Sequence, residues 1–451
     1  MAGAQSVAAQ RGTSVPEQKV QIVVVGGGAG GLELVRRLGT RYGRKRHDII
    51  LVDRNLTHIW KPLLHEVAAG SLDANLDEVG YGGHAARWGY RFFNGSLESI
   101  DRAQRTITMA PLIDAEGFEV IGRHSIRYDY LVVAVGGISN DFGVPGVREH
   151  ALFLEQRSQA DRFRQRLLSL CLRANHQHQT GNPQARVKIA IVGGGATGVE
   201  LAAELYNAAK ALRTYGLEVF DDSKLEVTLL EAGPRILPQL DEPLAETAKQ
   251  ELLKLGVDVR DKTQVTQVEQ GLVHIKDGTP IEADLIVWAA GVKGSDELAT
   301  MSDLELNRLN QLVVKPTLQT THDDRIFALG DCASCLLPGA ERPVPPRAQS
   351  AHQMASLVYE NLVRMQDGKP LKDFAYHDHG SLVSLSRFST VGSLMGNLVG
   401  GRMFVEGMLA RMVYLSLYRM HLIAIHGWVR GVALILIGHV NQIVRPRLKL
   451  H

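Results

Sequence analysis

The stretch VQIVVVGGGAGGLELVRRL, residues 20–38, returns as VKIAIVGGGATGVELAAEL at residues 187–205, with eleven of nineteen positions identical. A unit that occurs twice is not a solenoid repeat. Each copy opens with an unbroken run of β-branched and aliphatic residues, the pattern of a strand buried on both faces of a parallel sheet. Glycines then permit a tight turn, and the Leu/Ala/Glu continuation has good helix propensity. Strand, glycine loop and helix in that order set a helix N-terminus where it can face a pyrophosphate. In the first copy the G-x-G-x-x-G glycines are Gly26, Gly28 and Gly31, with Gly30 between them. Asp53 ends the next apolar run, DIILVD, followed by Arg54; a carboxylate there can accept a hydrogen bond from a ribose hydroxyl. The second copy supplies Gly193, Gly195 and Gly198, with Thr197 inside the motif, and then Glu231 at the end of VTLLE. Glu231 would bind a 2′-hydroxyl and repel a 2′-phosphate, favouring NADH over NADPH; Arg235, close in sequence, weakens that preference.

Working outward, strand signals recur at 128–137, 225–233 and 283–292, alternating with helical segments at 158–173, 196–213 and 242–255. The expected fold is α/β, with two Rossmann-like dinucleotide-binding domains, the first discontinuous and the second inserted in it. Residues 174–186 read as a polar linker and residues 1–18 as a disordered leader without a secretory apolar region. The expected division is 19–150, first part of the first domain; 151–300, the inserted second domain; 301–385, second part of the first domain; and 386–451, a C-terminal amphipathic helical region. The composition, 45% hydrophobic and 22% charged over 451 residues, is globular, and three cysteines exclude a disulfide framework.

Two dinucleotide sites in one chain point to a flavoprotein reductase, one site for FAD and one for NAD(P)H. TTHDDRIFALGDCAS (320–334) resembles the late flavin-binding segment of the two-dinucleotide-binding-domain flavoprotein reductases, which implies that Asp331 bonds the ribityl chain of non-covalent FAD. THIWKPLLHEVAAG (57–70) lacks the C-x4-C pair of the disulfide reductases, and Cys332 and Cys335 read as packing residues rather than a redox or metal pair; no metal is expected. In VPPRAQSAHQMASLVYENLVRM (344–365), Pro345 and Pro346 preset a helix start, with Gln349 and Gln353 four apart on one face. A helix N-terminus aimed at the flavin would stabilise negative charge on the reduced ring.

AQSAHQ resembles the A-Q-x-A-x-Q quinone-site motif of the type II NADH:quinone oxidoreductases, closest to the proteobacterial respiratory type. The similarity runs from GGGAGGLE through VDRNLTHIWKPLLHEVAAGSLD, GGGATGVELAAEL, WAAGV and GDCAS to DHGSLVSLS and IVRPRLKLH. The resemblance implies a non-pumping enzyme that passes a hydride from NADH to FAD and two electrons to a membrane quinone, on the cytoplasmic face of a bacterial inner membrane. It implies that Glu200 lies near the nicotinamide and couples proton movement to hydride transfer. Ala290 and Gly291 would let the nicotinamide approach, and the Leu97 backbone would meet the adenine. Lys61 and Pro62 would pass the isoalloxazine, Ala348 and Gln349 would contact it, and Gln349 and Gln353 would stand at the quinone entrance. His379 occupies a place where some members carry lysine beside the flavin.

The net charge of +2 divides unevenly: after Glu406 there is no acidic residue, and Arg411, Arg419, Arg430, Arg445, Arg447 and Lys449 give the tail +6. The uncharged GVALILIGHVNQIV (431–444) would span roughly 21 Å as a helix, short of about 30 Å of hydrocarbon. On a helical wheel Arg419, His426 and Arg430 form a basic stripe on a broad apolar surface, the pattern of an interfacial helix drawn to anionic phospholipid. Gly427 and Gly431 are candidate divisions of this tail, and its apolar surface also suits a homodimer. Two other readings stay open: a soluble FAD reductase of another acceptor, and a non-enzymatic NADH-sensing flavoprotein. Nucleic acid is not an expected partner.

Overall fold

Val20–Val25, almost wholly apolar, has a parallel neighbour on each side, Tyr130–Val133 and His47–Asp53, and Ile22, Val23 and Val24 lose all contact with solvent. Arg91–Asn94 extends the sheet beyond His47–Asp53. The fifth strand, Ile326–Ala328, pairs in parallel with Tyr130–Val133 although it arrives almost two hundred residues later. Between these two strands in sequence lies a second parallel sheet, in the order Asp258–Arg260, Leu225–Leu230, Val187–Val192, Leu285–Trp288. The two dinucleotide-type units therefore have the expected arrangement, one sheet inserted before the other is completed. In this computed structural model the residues described are 19–212, 217, 221–385, 389–396 and 401–444. The leader and the basic residues Arg445, Arg447 and Lys449 lie outside them.

Each parallel sheet carries an antiparallel three-stranded companion: Leu97–Asp101, Thr106–Met109 and His124–Arg127 in the first unit, and Val265–Glu269, Leu272–Ile275 and Ile281–Glu282 in the second. Two expectations about helix limits need correction. The segment expected over 158–173 runs Arg157–Gln179, because Ala174 and Asn175 are buried and continue its packed face into the supposed linker. The helix after the prolines begins at Ala348, with Arg347 as its extended N-cap, so Pro345 and Pro346 lie before the first turn.

The C-terminal region opens with a three-stranded antiparallel sheet, Gly380–Leu385, Ser389–Gly396 and Gly401–Glu406, that the charge and hydropathy pattern did not indicate. Two helices follow, Gly407–His426 and Trp428–Val444. They part at Gly427, whose φ of +75° suits glycine, while Gly431 stays helical and lets the second helix close on Ile423. This break corrects the continuous basic stripe. Arg419 and Arg430 are exposed on different helices, and His426 is half-buried, edge-on to His84 at 5.9 Å.

Candidate active site

The two glycine loops obey the same steric logic. Gly26 and Gly193 have φ of +104° and +115°, and a Cβ on Gly26 would lie 2.2 Å from the Ala134 carbonyl oxygen. A Cβ on Gly31 would lie 1.9 Å from the Gly26 oxygen, and one on Gly198 2.0 Å from the Gly193 oxygen, so both helices sit against their own turns. Gly28 and Gly195, by contrast, face open space. Gly28 is the N-cap of the helix Ala29–Arg46, and no side chain caps its free N–H groups. An unfilled cradle at a positive helix end fits a pyrophosphate in both places.

The strand-end acids also match. Asp53 accepts from Gly27 N at 2.7 Å, and Glu231 accepts from Gly194 N at 2.7 Å and Gly233 N at 2.6 Å. Each ties the glycine loop to the next strand and leaves a carboxylate at its rim. Arg235 does not share that rim, since it donates to the Leu240 carbonyl at 2.8 Å. Thr197 is exposed at the second helix start. Arg54 is exposed beside Asp53, and Gly95 N donates to the Asp53 carbonyl at 3.0 Å just ahead of buried Leu97.

Four segments meet beside the first loop. Lys61, at the start of a short 3-10 turn through Pro62, donates to the Gly137 carbonyl at 2.9 Å. A Cβ on Gly137 would touch Val292 at 2.8 Å and Asp331 at 3.0 Å, which brings the loop carrying Ala290 and Gly291 to the same place. The Asp331 carboxylate has no hydrogen-bond donor among the described residues; burial raises its pKa, and Lys61 partly opposes the rise. The first two turns of Ala348–Gln366 cross here as well: Gly330 N donates to Met354 Sδ at 3.3 Å, and a Cβ on Gly30 would lie 2.9 Å from the Ala351 oxygen. The uncapped helix end, the cradle at Gly28 and the unpartnered Asp331 fit the phosphate and polyol portions of FAD.

Gln349 and Gln353 are clamps rather than free side chains. Gln349 donates to Asp378 and the Gly380 carbonyl, both at 3.1 Å, and accepts from His379 N at 3.0 Å. Gln353 donates to the His377 carbonyl at 2.8 Å and accepts from His377 N at 2.9 Å. The helix thus grips the 377–380 loop, taking the backbone amide of His379, whose imidazole is exposed.

Glu200 is 6% exposed at the seam between the second unit and the C-terminal sheet. Its Oε1 accepts from Ser384 N at 3.0 Å, and its Oε2 lies 3.6 Å from His65 Nδ1. Burial is the main cause that pushes it up to about 8, opposed by Ser384 and aided by Glu66 and Glu204, so it carries a proton at neutral pH. His65, buried beside it, is pushed down to about 4 and stays neutral. His65 and Ser384 lay inside stretches already singled out, but no spacing rule links them to Glu200. The three cysteines are buried free thiols, and burial lifts Cys332 to about 12 and Cys335 to about 11, far from thiolate chemistry at neutral pH.

Residues 20–355 match the pyridine nucleotide-disulphide oxidoreductase family. The chain is 46% identical over 442 residues to a type II NADH:quinone oxidoreductase of Haemophilus influenzae, covering 95% of this chain and 99% of that one. It is 30% identical over 393 residues to a Staphylococcus aureus enzyme of the same name, with 86% and 92% covered. Its fold is similar to the NDH2 structure from Plasmodium falciparum in complex with NADH, with a TM-score of 0.80 at 18% identity, over 96% of this chain and all of that one. The chain belongs to the type II NADH:quinone oxidoreductases.

Proposed function

We infer that this protein is an FAD-dependent NADH:quinone oxidoreductase working at a membrane surface without proton pumping. The observation that carries this reading is the meeting of the first glycine loop, Asp331 and the N-terminus of Ala348–Gln366 at one place, with a second glycine loop alongside. Bound FAD supplies hydride acceptance and two-electron chemistry. The chain supplies the positioning. Gly26, Gly28, Gly30 and Gly31 cradle the FAD pyrophosphate, Asp53 and Arg54 take its ribose side, and the Leu97 backbone takes its adenine. Asp331 takes the ribityl hydroxyls, while Lys61, Pro62, Ala348, Gln349 and His379 flank the ring. Gly193, Gly195, Thr197 and Gly198 hold the NADH pyrophosphate, Glu231 its ribose, and Ala290 and Gly291 leave room for the nicotinamide. Neutral Glu200 holds the proton exchanged during turnover. Gln349 and Gln353 set the quinone entrance by fixing the 377–380 loop.

No helix among the described residues is long and apolar enough to cross a membrane. Trp428, Val429, Leu436 and Ile437 are nevertheless exposed, with Arg419 and Arg430 on the same two helices. In this reading those helices lie on the anionic cytoplasmic face of a bacterial inner membrane, the side that holds NADH, and their apolar surface also serves a homodimer. The chain divides as 19–150 and 301–385 for FAD, 151–300 for NADH and 386–451 for the membrane. Steady-state NADH oxidation with a water-soluble ubiquinone analogue, with and without FAD, tests the activity. Turnover that requires both supports it, and FAD-loaded protein that reduces no quinone overturns it. Exchanging Arg419→Gln and Arg430→Gln removes about 1 kcal/mol of attraction per charge. Co-sedimentation with phosphatidylglycerol vesicles should fall accordingly, and unchanged binding would remove the electrostatic part of the claim.

A further inference from the structure

Ala196–Leu212, the helix after the second glycine loop, turns two acidic residues toward the first unit. Glu200 and Glu204 are one turn apart on a single face, and only 6% and 4% exposed. The internal repeat sets Glu33 where its second copy has Glu200, but Arg37 where it has Glu204, so the glycine unit does not itself require the second carboxyl. What faces the pair is the segment that starts at Lys61 and Pro62. It runs on through the short helix Leu64–Ala69, where Leu64, Val67 and Ala68 share one buried core with Val199, Ala202 and Ala203. At its start Lys61 is tied to the first unit through the Gly137 carbonyl at 2.9 Å. At its end Ser71 Oγ donates to Glu204 Oε1, and Asn207 Nδ2 donates to the same oxygen at 2.8 Å. Ser71 is itself fixed, since its N–H donates to the Glu66 carbonyl at 2.9 Å.

Apolar packing resists separation of two surfaces but lets them slide, whereas a hydrogen bond has a direction. A carboxyl buried among alanines and leucines is costly unless its oxygens are bonded, so an apolar side chain would hold this seam at least as well. What Glu204 adds is register. We propose that Ser71 and Glu204 are positioning residues for hydride transfer: their bond sets how Ala196–Leu212 stands against the flavin segment, and so the gap between nicotinamide and ring. The proposal rests on the FAD and NADH assignments above. Gly198, in the loop assigned to the NADH pyrophosphate, stands in the first turn of the helix that Glu204 fixes. Lys61 and Pro62, assigned to the flavin ring, begin the segment that Ser71 ends. The neighbouring contact does not serve the same purpose. His65 Nδ1 lies 3.6 Å from Glu200 Oε2, too far for a hydrogen bond, which leaves that oxygen free to exchange a proton. Glu204 holds, and Glu200 titrates.

The test uses the full FAD-loaded chain, rates per bound flavin and a stopped-flow separation of the half-reactions. In Ser71→Ala and Glu204→Ala, flavin reduction at saturating NADH should slow about tenfold or more. The slowed step should carry a primary isotope effect with NADH deuterated at C4. Affinity for NAD⁺ and reoxidation by the ubiquinone analogue should not change. Ser71→Thr and Glu204→Gln, which keep the donor and the acceptor, should keep most of the rate. Ser71→Ala/Glu204→Ala should be no slower than the slower single variant, because both substitutions remove one bond. Unchanged reduction in Ser71→Ala, equal slowing of both half-reactions, or losses that multiply in the double variant each overturn the assignment. Ser71→Ala removes a single oxygen and decides the matter alone if Glu204→Ala does not fold. Wild-type FAD-loaded protein that NADH never reduces overturns the nicotinamide reading itself, and the positioning role with it.

Discussion

The two copies of the glycine unit share their backbone and differ in what the rest of the chain lays against them. Gly26 with Gly31, and Gly193 with Gly198, solve the same problem of bringing a helix against its own turn. The matching carboxyls Glu33 and Glu200 then diverge. Glu33 is held between Arg37 and His352 beside an open, charge-lined groove, whereas Glu200 is enclosed by His65 and Ser384, with burial favouring its protonated form. A duplicated scaffold therefore repeats the turn and helix end suited to a phosphate, and packing from elsewhere sets what surrounds the matching carboxyl. The largest test separates shape from cradle. Gly31→Val and Gly198→Val place a side chain within 2.0 Å of a carbonyl oxygen and should yield insoluble protein. Gly28→Ala and Gly195→Ala add a methyl to open space and should fold. The first should lose flavin absorbance, and the second should keep it while the KM for NADH rises about tenfold or more. Equal loss of flavin in both would end the division of roles.

Glu200→Gln keeps the size and hydrogen bonding of the neutral carboxyl and removes its titration. If the proton on Glu200 moves during turnover, kcat should fall about a hundredfold. The alkaline limb near pH 8 should also disappear from the profile. Retained kcat with an unchanged profile would reduce Glu200 to a packing residue.

Stability should respond to pH at both edges, for opposite reasons. His58, His65 and His84 are each pushed down to about 4, chiefly by burial. Below their ordinary value of 6.5 the unfolded chain takes up protons that the folded chain refuses. Folding stability is therefore lost as pH falls from 6.5 towards 4, and the thermal midpoint should drop by about 5–10 °C. Glu200 works the other way. Its folded pKa is raised, so its contribution is present below 4.5 and is lost as pH rises from there through about 8, opposing the histidines between 4.5 and 6.5; Glu200→Gln should remove that decline. A flat profile from pH 4 to 6.5 would show that these histidines accept protons in the folded state.

The fold was legible because both glycine units announce themselves within nineteen residues and the segment ending in Gly330-Asp331 marks the return to the first sheet. The loops, the strand-end acids and the helix bearing Gln349 and Gln353 were legible for the same reason: each is a local pattern with a local cause. The contacts around Glu200 and the buried histidines are not local. Glu200 meets Ser384 across 184 residues, and His58 meets His421 across 363, so no periodicity records either pair. The glutamines were expected at the quinone entrance, but not as clamps, since their partners lie in the 377–380 loop and are mostly its backbone groups. Apolar residues in the tail hid an inward seam: Trp60 stacks on both Tyr418 and His421, so the first tail helix has a buried face as well as an outward one.

The smallest expected effect concerns coenzyme choice. In the proposed NADH site Glu231 would face the 2′-hydroxyl of the adenosine ribose, and a carboxylate there would repel a 2′-phosphate. Sequence proximity suggested that Arg235 could offset this repulsion, but its guanidinium is turned to the Leu240 carbonyl at 2.8 Å. Glu231→Ser therefore removes the repulsion without supplying a cation. It also removes two hydrogen bonds, to Gly194 and Gly233, that shape the loop. NADPH use should rise only about threefold to tenfold, while the KM for NADH rises by a similar factor, each bond to a charged acceptor being worth a few kcal/mol at most. A large gain in NADPH turnover would mean that Arg235 had swung out to bind the phosphate, and kcat/KM for the two coenzymes in Glu231→Ser and Glu231→Ser/Arg235→Ala would show it.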